Sequence, residues 1–161
     1  MRHLLPMPPR TRPSPFEAHM DQDTTTLVRN SWRQVQPIAA TAAALFYENL
    51  FAADPTLRPL FKSDLGHQGQ RLMQMIGAAV DKLDDLPALV PVLESLAQRH
   101  AGYGVREAHY QTVGAALLKT LGQGLGEDFT PPVREAWTRV YGLIAEVMVA
   151  AARRGEAAEA A

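Results

Sequence analysis

From Thr24 onward, apolar side chains recur at intervals of three and four residues, and the alternation that marks a half-buried strand is absent. That period places each apolar stripe on one face of an α-helix, and a chain made only of such stripes folds as helix packed on helix. Val28, Trp32 and Val35 form the first stripe, which Pro37 interrupts. Residues 38–53 are apolar nearly all round, as suits a helix enclosed by several neighbours. Asp54-Pro55 joins an N-cap to a proline in the first turn and opens a short helix towards Phe61. Leu72, Met75, Ile76, Ala79 and Leu83 mark the next helix. A shorter one after Asp84-Asp85 carries Leu89, Leu93, Leu96 and His100, with Pro91 inside it and Gly102 and Gly104 to end it. Tyr110, Val113, Leu117 and Leu121 define a long helix closed by the glycine-rich 122–126 segment. Thr130-Pro131-Pro132 opens the last, striped by Trp137, Val140, Tyr141, Ile144, Val147 and Met148. The expectation is an all-α domain of seven to eight helices with short connections.

Residues 1–19 are of another kind. They hold five of the twelve prolines, three arginines and a single acid, Glu17. Proline removes a helix donor and clashes with the preceding turn, so a disordered extension is predicted, with Met20 as a rival start of translation. Residues 20–153 form the predicted domain and 154–161 a disordered tail. Sixteen basic and seventeen acidic residues give a charge of −1, which disfavours nucleic acid as a partner. The chain has no cysteine, which excludes disulfides, iron–sulfur clusters, thiolate zinc sites and cysteine nucleophiles. No apolar run approaches the ~18 residues of a membrane span. A cytoplasmic location follows as the expectation.

Strand-based nucleotide sites have no place in such a chain. The GQGLG segment at 122–126 follows a helix and reads as a terminator, and no Walker, HExxH, GxSxG or EF-hand motif occurs. A di-iron bundle needs a repeated ExxH that is missing. His100 is the informative residue: spacings of four, three and four from Leu89, Leu93 and Leu96 put its ring where those leucines point. A buried imidazole needs a partner on each nitrogen or a metal on one of them. Gln68, four before Leu72, breaks a second apolar face, and Tyr47 lies among Leu50 and Phe51. Each singly suits a core residue bonded to a nearby carbonyl. Together they describe an apolar pocket with one neutral metal-ligating ring and two hydrogen-bond donors, with Phe61 as an aromatic plate. Such a pocket suits haem.

Four segments, at residues 45–61 (LFYENLFAADPTLRPLF), 86–105 (LPALVPVLESLAQRHAGYGV), 109–118 (HYQTVGAALL) and 135–147 (EAWTRVYGLIAEV), resemble the bacterial globins. The likeness is to single-domain haemoglobins related to the globin module of flavohaemoglobins, and it covers about Met20 to Ala151. It implies the globin fold, a three-on-three helical sandwich around haem b. It implies His100 as the proximal iron ligand, Phe61 packed on the haem face, Tyr47 and Gln68 as distal groups bonding the ligand, and Leu72 above the iron. Leu96, Val105, Tyr110 and Val113 match haem-pocket positions, and Arg71 is placed to reach a propionate. His67 is a rival to Gln68, but it lies about 100° round the helix, beside Gln70 and Arg71. His109 is expected to be structural. A glutamate late in the family's last helix works with the tyrosine matching Tyr110 to polarise the proximal histidine. Ala152 stands at that place, with Glu146 and Glu156 offset from it.

Three functions follow as expectations. The first is reversible binding of oxygen or another diatomic gas (NO, CO), with Tyr47 and Gln68 hydrogen-bonding it. The second is nitric oxide dioxygenation; a flavin/nicotinamide module would need over ~100 further residues beyond Ala161, so a separate reductase is expected. The third is a haem-based gas sensor, for which the usual fused output domain is not seen.

Overall fold

A computed structural model describes residues 20–62 and 64–160 of the protein. Six α-helices carry the fold: α1 (Gln22–Val35), α2 (Ala39–Ala53), α3 (Leu65–Asp81), α4 (Leu86–Gly102), α5 (Glu107–Leu125) and α6 (Pro131–Ala160). Short 3₁₀ turns at Gln36–Ile38, Pro55–Leu60 and Gly126–Asp128 supply the remaining helical segments, and no strand occurs among the described residues. The prolines act as the sequence predicts: Pro37 and Pro55 stand in 3₁₀ turns, and Thr130 accepts a bond from the Val133 amide to start α6. Asp21, Asp64 and Asp85 cap α1, α3 and α4 by accepting from Thr24, Gly66 and Ala88 amides. Arg29 closes the other end of α3, donating to the carbonyls of Val80 and Asp81 at 3.3 and 3.0 Å.

α1, α3 and α4 form one layer and α2, α5 and α6 the other. α2 packs on α3 and α5, α1 on α6, and α4 on α6. The main core joins Val28, Trp32, Phe46, Leu50, Leu121, Trp137 and Val140 across these layers. Trp32 and Trp137 lie 6.0 Å apart, and the Trp137 indole donates to Ser31. A second, smaller core joins Leu86, Leu89, Leu93 and Ala97 of α4 to Leu143, Val147 and Met148 of α6. Consecutive helices α3 and α4 thus lean on different partners.

Two boundaries differ from expectation. α6 runs through 154–160, the expected tail, because Ala-, Arg- and Glu-rich sequence favours helix and exposed ion pairs tie Arg153 to Glu107 and Arg154 to Glu94. α5 continues through Gly122 and Gly124 to Leu125 before Gly126 turns it with φ +57°. Gly122 is useful inside the helix, since a Cβ there would sit 3.3 Å from the Phe129 ring. The predicted disordered extension, 1–19, lies outside the described residues.

Candidate functional site

His100 sits in the last turn of α4, half-buried. Its Nδ1 lies 3.0 Å from the Leu96 carbonyl, one turn earlier. The neutral ring donates there through Nδ1–H, which leaves the lone pair on Nε2. Burial holds its pKa below the usual imidazole value; the Leu96 bond opposes this and the Arg99 cation adds to it. The ring is therefore neutral at pH 7, with Nε2 unpartnered among the described residues.

On the opposite layer edge, α3 begins at Asp64 and presents successive residues about 100° apart. His67 points outward: its side chain is 75% exposed and 4.0 Å from the Asp64 carboxylate. Gln68 turns inward, and its Oε1 is buried with no hydrogen-bond partner among the described residues. Such an orphan acceptor costs about 1–3 kcal/mol and needs a reason. Gly69 brings this turn onto α2: a Cβ there would sit 2.9 Å from Ala43 Cβ and 3.6 Å from the Tyr47 ring.

Tyr47 is 6% exposed on α2, and no hydrogen bond among the described residues engages its hydroxyl. Its ring meets Phe46 and Phe61 edge-on at 5.4 and 5.5 Å and stacks on Phe51 at 6.0 Å. Phe51 and Phe61 touch each other at 5.3 Å, and the Arg58 guanidinium lies over Phe51. This burial pushes the Tyr47 phenol up to about 12, so it is a donor throughout the physiological range.

The remaining candidates divide between the two cores. Phe61, Leu72 and Val113 are half-buried against the main core, and Leu96 and Tyr110 against the smaller one. Val105 is half-buried, and its amide bonds the His100 carbonyl at 3.0 Å. Arg71 is exposed and forms no ion pair among the described residues. His109 has a backbone role, its Nδ1 accepting from the Arg106 amide at the start of α5. Ala152 is half-buried, Glu146 is exposed, and the Glu156 side chain lies outside the described residues. A groove of about 1000 Å³ between α2 and α3 includes Tyr47 and Phe51 in its wall but no residue of α4 or α5, so it does not reach His100.

The i+4 spacing that set Phe51 beside Tyr47 in the sequence is seen as ring stacking, but the edge-on contact of Phe51 with Phe61 could not be read from it. Sequence reasoning also missed Tyr141, whose hydroxyl donates to the Tyr110 carbonyl. Gly114 makes room for that ring, since a Cβ there would sit 2.5 Å from Tyr141 Cε2. Nothing local in the sequence marks that contact.

These residues fit one kind of group. No cluster of three or more His, Asp or Glu side chains able to hold a bare metal ion occurs among the described residues. One neutral imidazole suits a metal that brings its other ligands with it, held by apolar walls, with the Gln68 oxygen and Tyr47 hydroxyl in need of partners. An all-α two-layer sandwich with a neutral imidazole in the last turn of α4 is the architecture of a haem-binding fold.

Comparison with known proteins gives the family. Residues 44–148 match the globin family, and the chain belongs to it. It is 29% identical over 133 residues to a flavohemoprotein of Vibrio cholerae, covering 81% of this chain and 34% of that one. It is 36% identical over 118 residues to a flavohemoprotein of Bordetella parapertussis, covering 71% of this chain and 29% of that one. The chain thus spans about a third of the length of these curated relatives. Among solved structures it superposes with TM-score 0.80 and 26% identity on the engineered carbene transferase RmaNOD, a "putative nitric oxide dioxygenase from Rhodothermus marinus", covering 88% of this chain and 99% of that one. Membership of the globin family implies haem as the bound group, and no helix among the described residues is long and apolar enough to cross a membrane.

Proposed function

We propose that the protein is a cytoplasmic haem b globin that reversibly binds oxygen. The observation that carries this is an imidazole whose Nδ1 is engaged at 3.0 Å while its Nε2 lone pair is unpartnered among the described residues. A haem would supply a ferrous iron that coordinates a diatomic gas. His100 would hold the iron through Nε2, with its ring oriented by the Leu96 carbonyl. Phe61, Leu72, Leu96, Val105, Tyr110 and Val113 would exclude water from the group, and Arg71 would pair with one of its carboxylates. Tyr47 and the Gln68 amide N–H would donate to a bound gas and stabilise its partial negative charge. Two such bonds at about 1 kcal/mol each slow release roughly thirtyfold.

The first test is the absorption spectrum of the purified chain supplied with haem. A Soret band that is lost in His100→Ala supports the assignment, and its absence from the unaltered chain overturns it. The second is oxygen release from Tyr47→Phe, expected about five- to tenfold faster. An unchanged rate removes Tyr47 from the site.

The names of the relatives favour a second reading, nitric oxide dioxygenation with a separate reductase. Sustained nitric oxide consumption in the presence of a cellular reductase, well above a myoglobin-type control, would promote it over simple binding.

A further inference from the structure

We propose that the edge of the molecule beside His100 is a docking surface for an acidic protein that delivers single electrons to the site, an inference that rests on the haem reading. Two stretches meet on this edge: residues 58–62, at the end of the 3₁₀ turn, and the α4–α5 connection, 99–106. Their contact is direct, since a Cβ on Gly104 would sit 3.5 Å from Leu60 Cδ2. Together they carry Arg58, Lys62, Arg99 and Arg106 and no carboxylate, in a chain whose formal charge is −1. All four cations are exposed, and none joins an ion pair among the described residues.

The acids flanking these stretches are committed elsewhere. Asp54 caps the 3₁₀ turn, Asp64 caps α3, and Glu107 pairs with Arg153. Within this ring stands Tyr103, three residues after His100. It is 68% exposed, against 37% for the other two exposed large apolar side chains, Ile38 and Val92. Tyr and Arg are the side chains that anchor interfaces, giving apolar area and directed hydrogen bonds together. Unpaired cations around such an anchor draw in an anionic surface and speed its encounter. A partner the size of this patch is favoured over a long polyanion, because the acidic remainder of the chain repels charge that extends past it.

Electron delivery follows from position. Arg99 directly precedes His100, and the Tyr103 amide donates to the His100 carbonyl at 3.1 Å, so a partner seated on Arg99 and Tyr103 lies within one helical turn of the iron ligand. One electron leaves the reduced donor and takes ferric iron to ferrous. No covalent bond is made or broken and no proton is needed.

The test uses the full chain loaded with haem and a plant-type [2Fe–2S] ferredoxin as the acidic probe. Each variant is first checked for its Soret band and for reduction by dithionite. A missing band in the unaltered chain overturns the haem reading, and this proposal with it, before any ferredoxin is added, and a variant lacking the band is replaced by its charge-neutral counterpart, Arg99→Gln with Arg106→Gln. Binding is then followed by amide shifts and by the rate of reduction under carbon monoxide. The expected result is a rate that falls at least tenfold between 10 mM and 500 mM salt, with the largest shifts at 99–106. Arg99→Glu with Arg106→Glu lowers the low-salt rate at least tenfold, and Tyr103→Ser weakens binding while leaving the salt dependence in place. An effect no larger than that of Arg33→Glu with Arg134→Glu, on other exposed surfaces, overturns the proposal. So does tighter binding of these residues to duplex DNA or to anionic vesicles than to the ferredoxin.

Discussion

Replacing Gln68 with leucine should move stability and gas retention in opposite directions. Gln68 Oε1 is buried without a partner among the described residues, and an orphan carbonyl of this kind costs about 1–3 kcal/mol. Leucine has similar volume and similar helix propensity, so neither a cavity nor a propensity penalty should offset the relief. Haem-free Gln68→Leu should therefore be more stable by about 1–2 kcal/mol, which is a rise of roughly 3–6 °C in Tm for a domain of this size. In the haem-loaded protein the same change removes one donor to the gas. At about 1–1.5 kcal/mol for the lost bond, release should quicken by close to tenfold. Urea unfolding of the haem-free protein reads the first effect, and stopped-flow release of oxygen the second. Destabilisation of the haem-free protein by 1 kcal/mol or more would show that Oε1 has a partner in the fold. An unchanged release rate would put Gln68 out of reach of the ligand.

Three further outcomes follow. Gly114→Ala gains about 1 kcal/mol of helix propensity but drives a methyl to 2.5 Å from Tyr141 Cε2, so overpacking and the loss of the Tyr141–Tyr110 bond should leave a net destabilisation of about 2 kcal/mol. Most of that cost should disappear in the Tyr141→Leu background, which a double-mutant cycle by urea denaturation reads directly. The Tyr47 phenol, raised to about 12 by burial, keeps its proton between pH 10 and 12 while the unfolded chain loses it, so folding stability should fall as pH rises through 10 and this slope should shrink in Tyr47→Phe. Finally, α4 packs chiefly on α6, so in haem-free protein its amides should exchange faster than those of α2 or α5 when followed by mass spectrometry; equal protection would refute that view of the core.

What was legible in the sequence was whatever local periodicity controls. The stripes gave the helices, Pro37 and Asp54-Pro55 gave two of the breaks, and the four-three-four spacing put His100 on a leucine face. The 100° step between His67 and Gln68 separated an exposed imidazole from a buried amide. What escaped depends on residues far apart in the chain. Gly69 and Gly114 read locally as poor helix formers, yet each admits a side chain from another helix. Tyr141 reads as one more core residue until its hydroxyl finds the Tyr110 carbonyl, thirty-one residues away. The continuation of α6 beyond Arg153 owes as much to partners on α5 and α4 as to its own composition.

The same distinction between local and distant control bears on the chemistry of His100. Its hydrogen-bond acceptor, the Leu96 carbonyl, lies on α4 itself, one turn away, while among the described residues the Tyr110 hydroxyl on α5 has no hydrogen-bond partner and Ala152 on α6 offers no acceptor side chain. A neutral carbonyl orients the ring and strengthens Nε2 as a donor, but it pulls far less on Nδ1–H than a carboxylate would. An acceptor on α6 would also change its grip whenever the α4–α6 spacing changed. Leu96 and His100 instead move as one body, so α4 can shift against α6 without altering the basicity of the ring. Under the haem reading proposed above, such a ligand would keep an iron reducible and its gas intact. It gives little of the electron push that oxygen-splitting chemistry needs, which favours binding and release over chemistry driven from the proximal side.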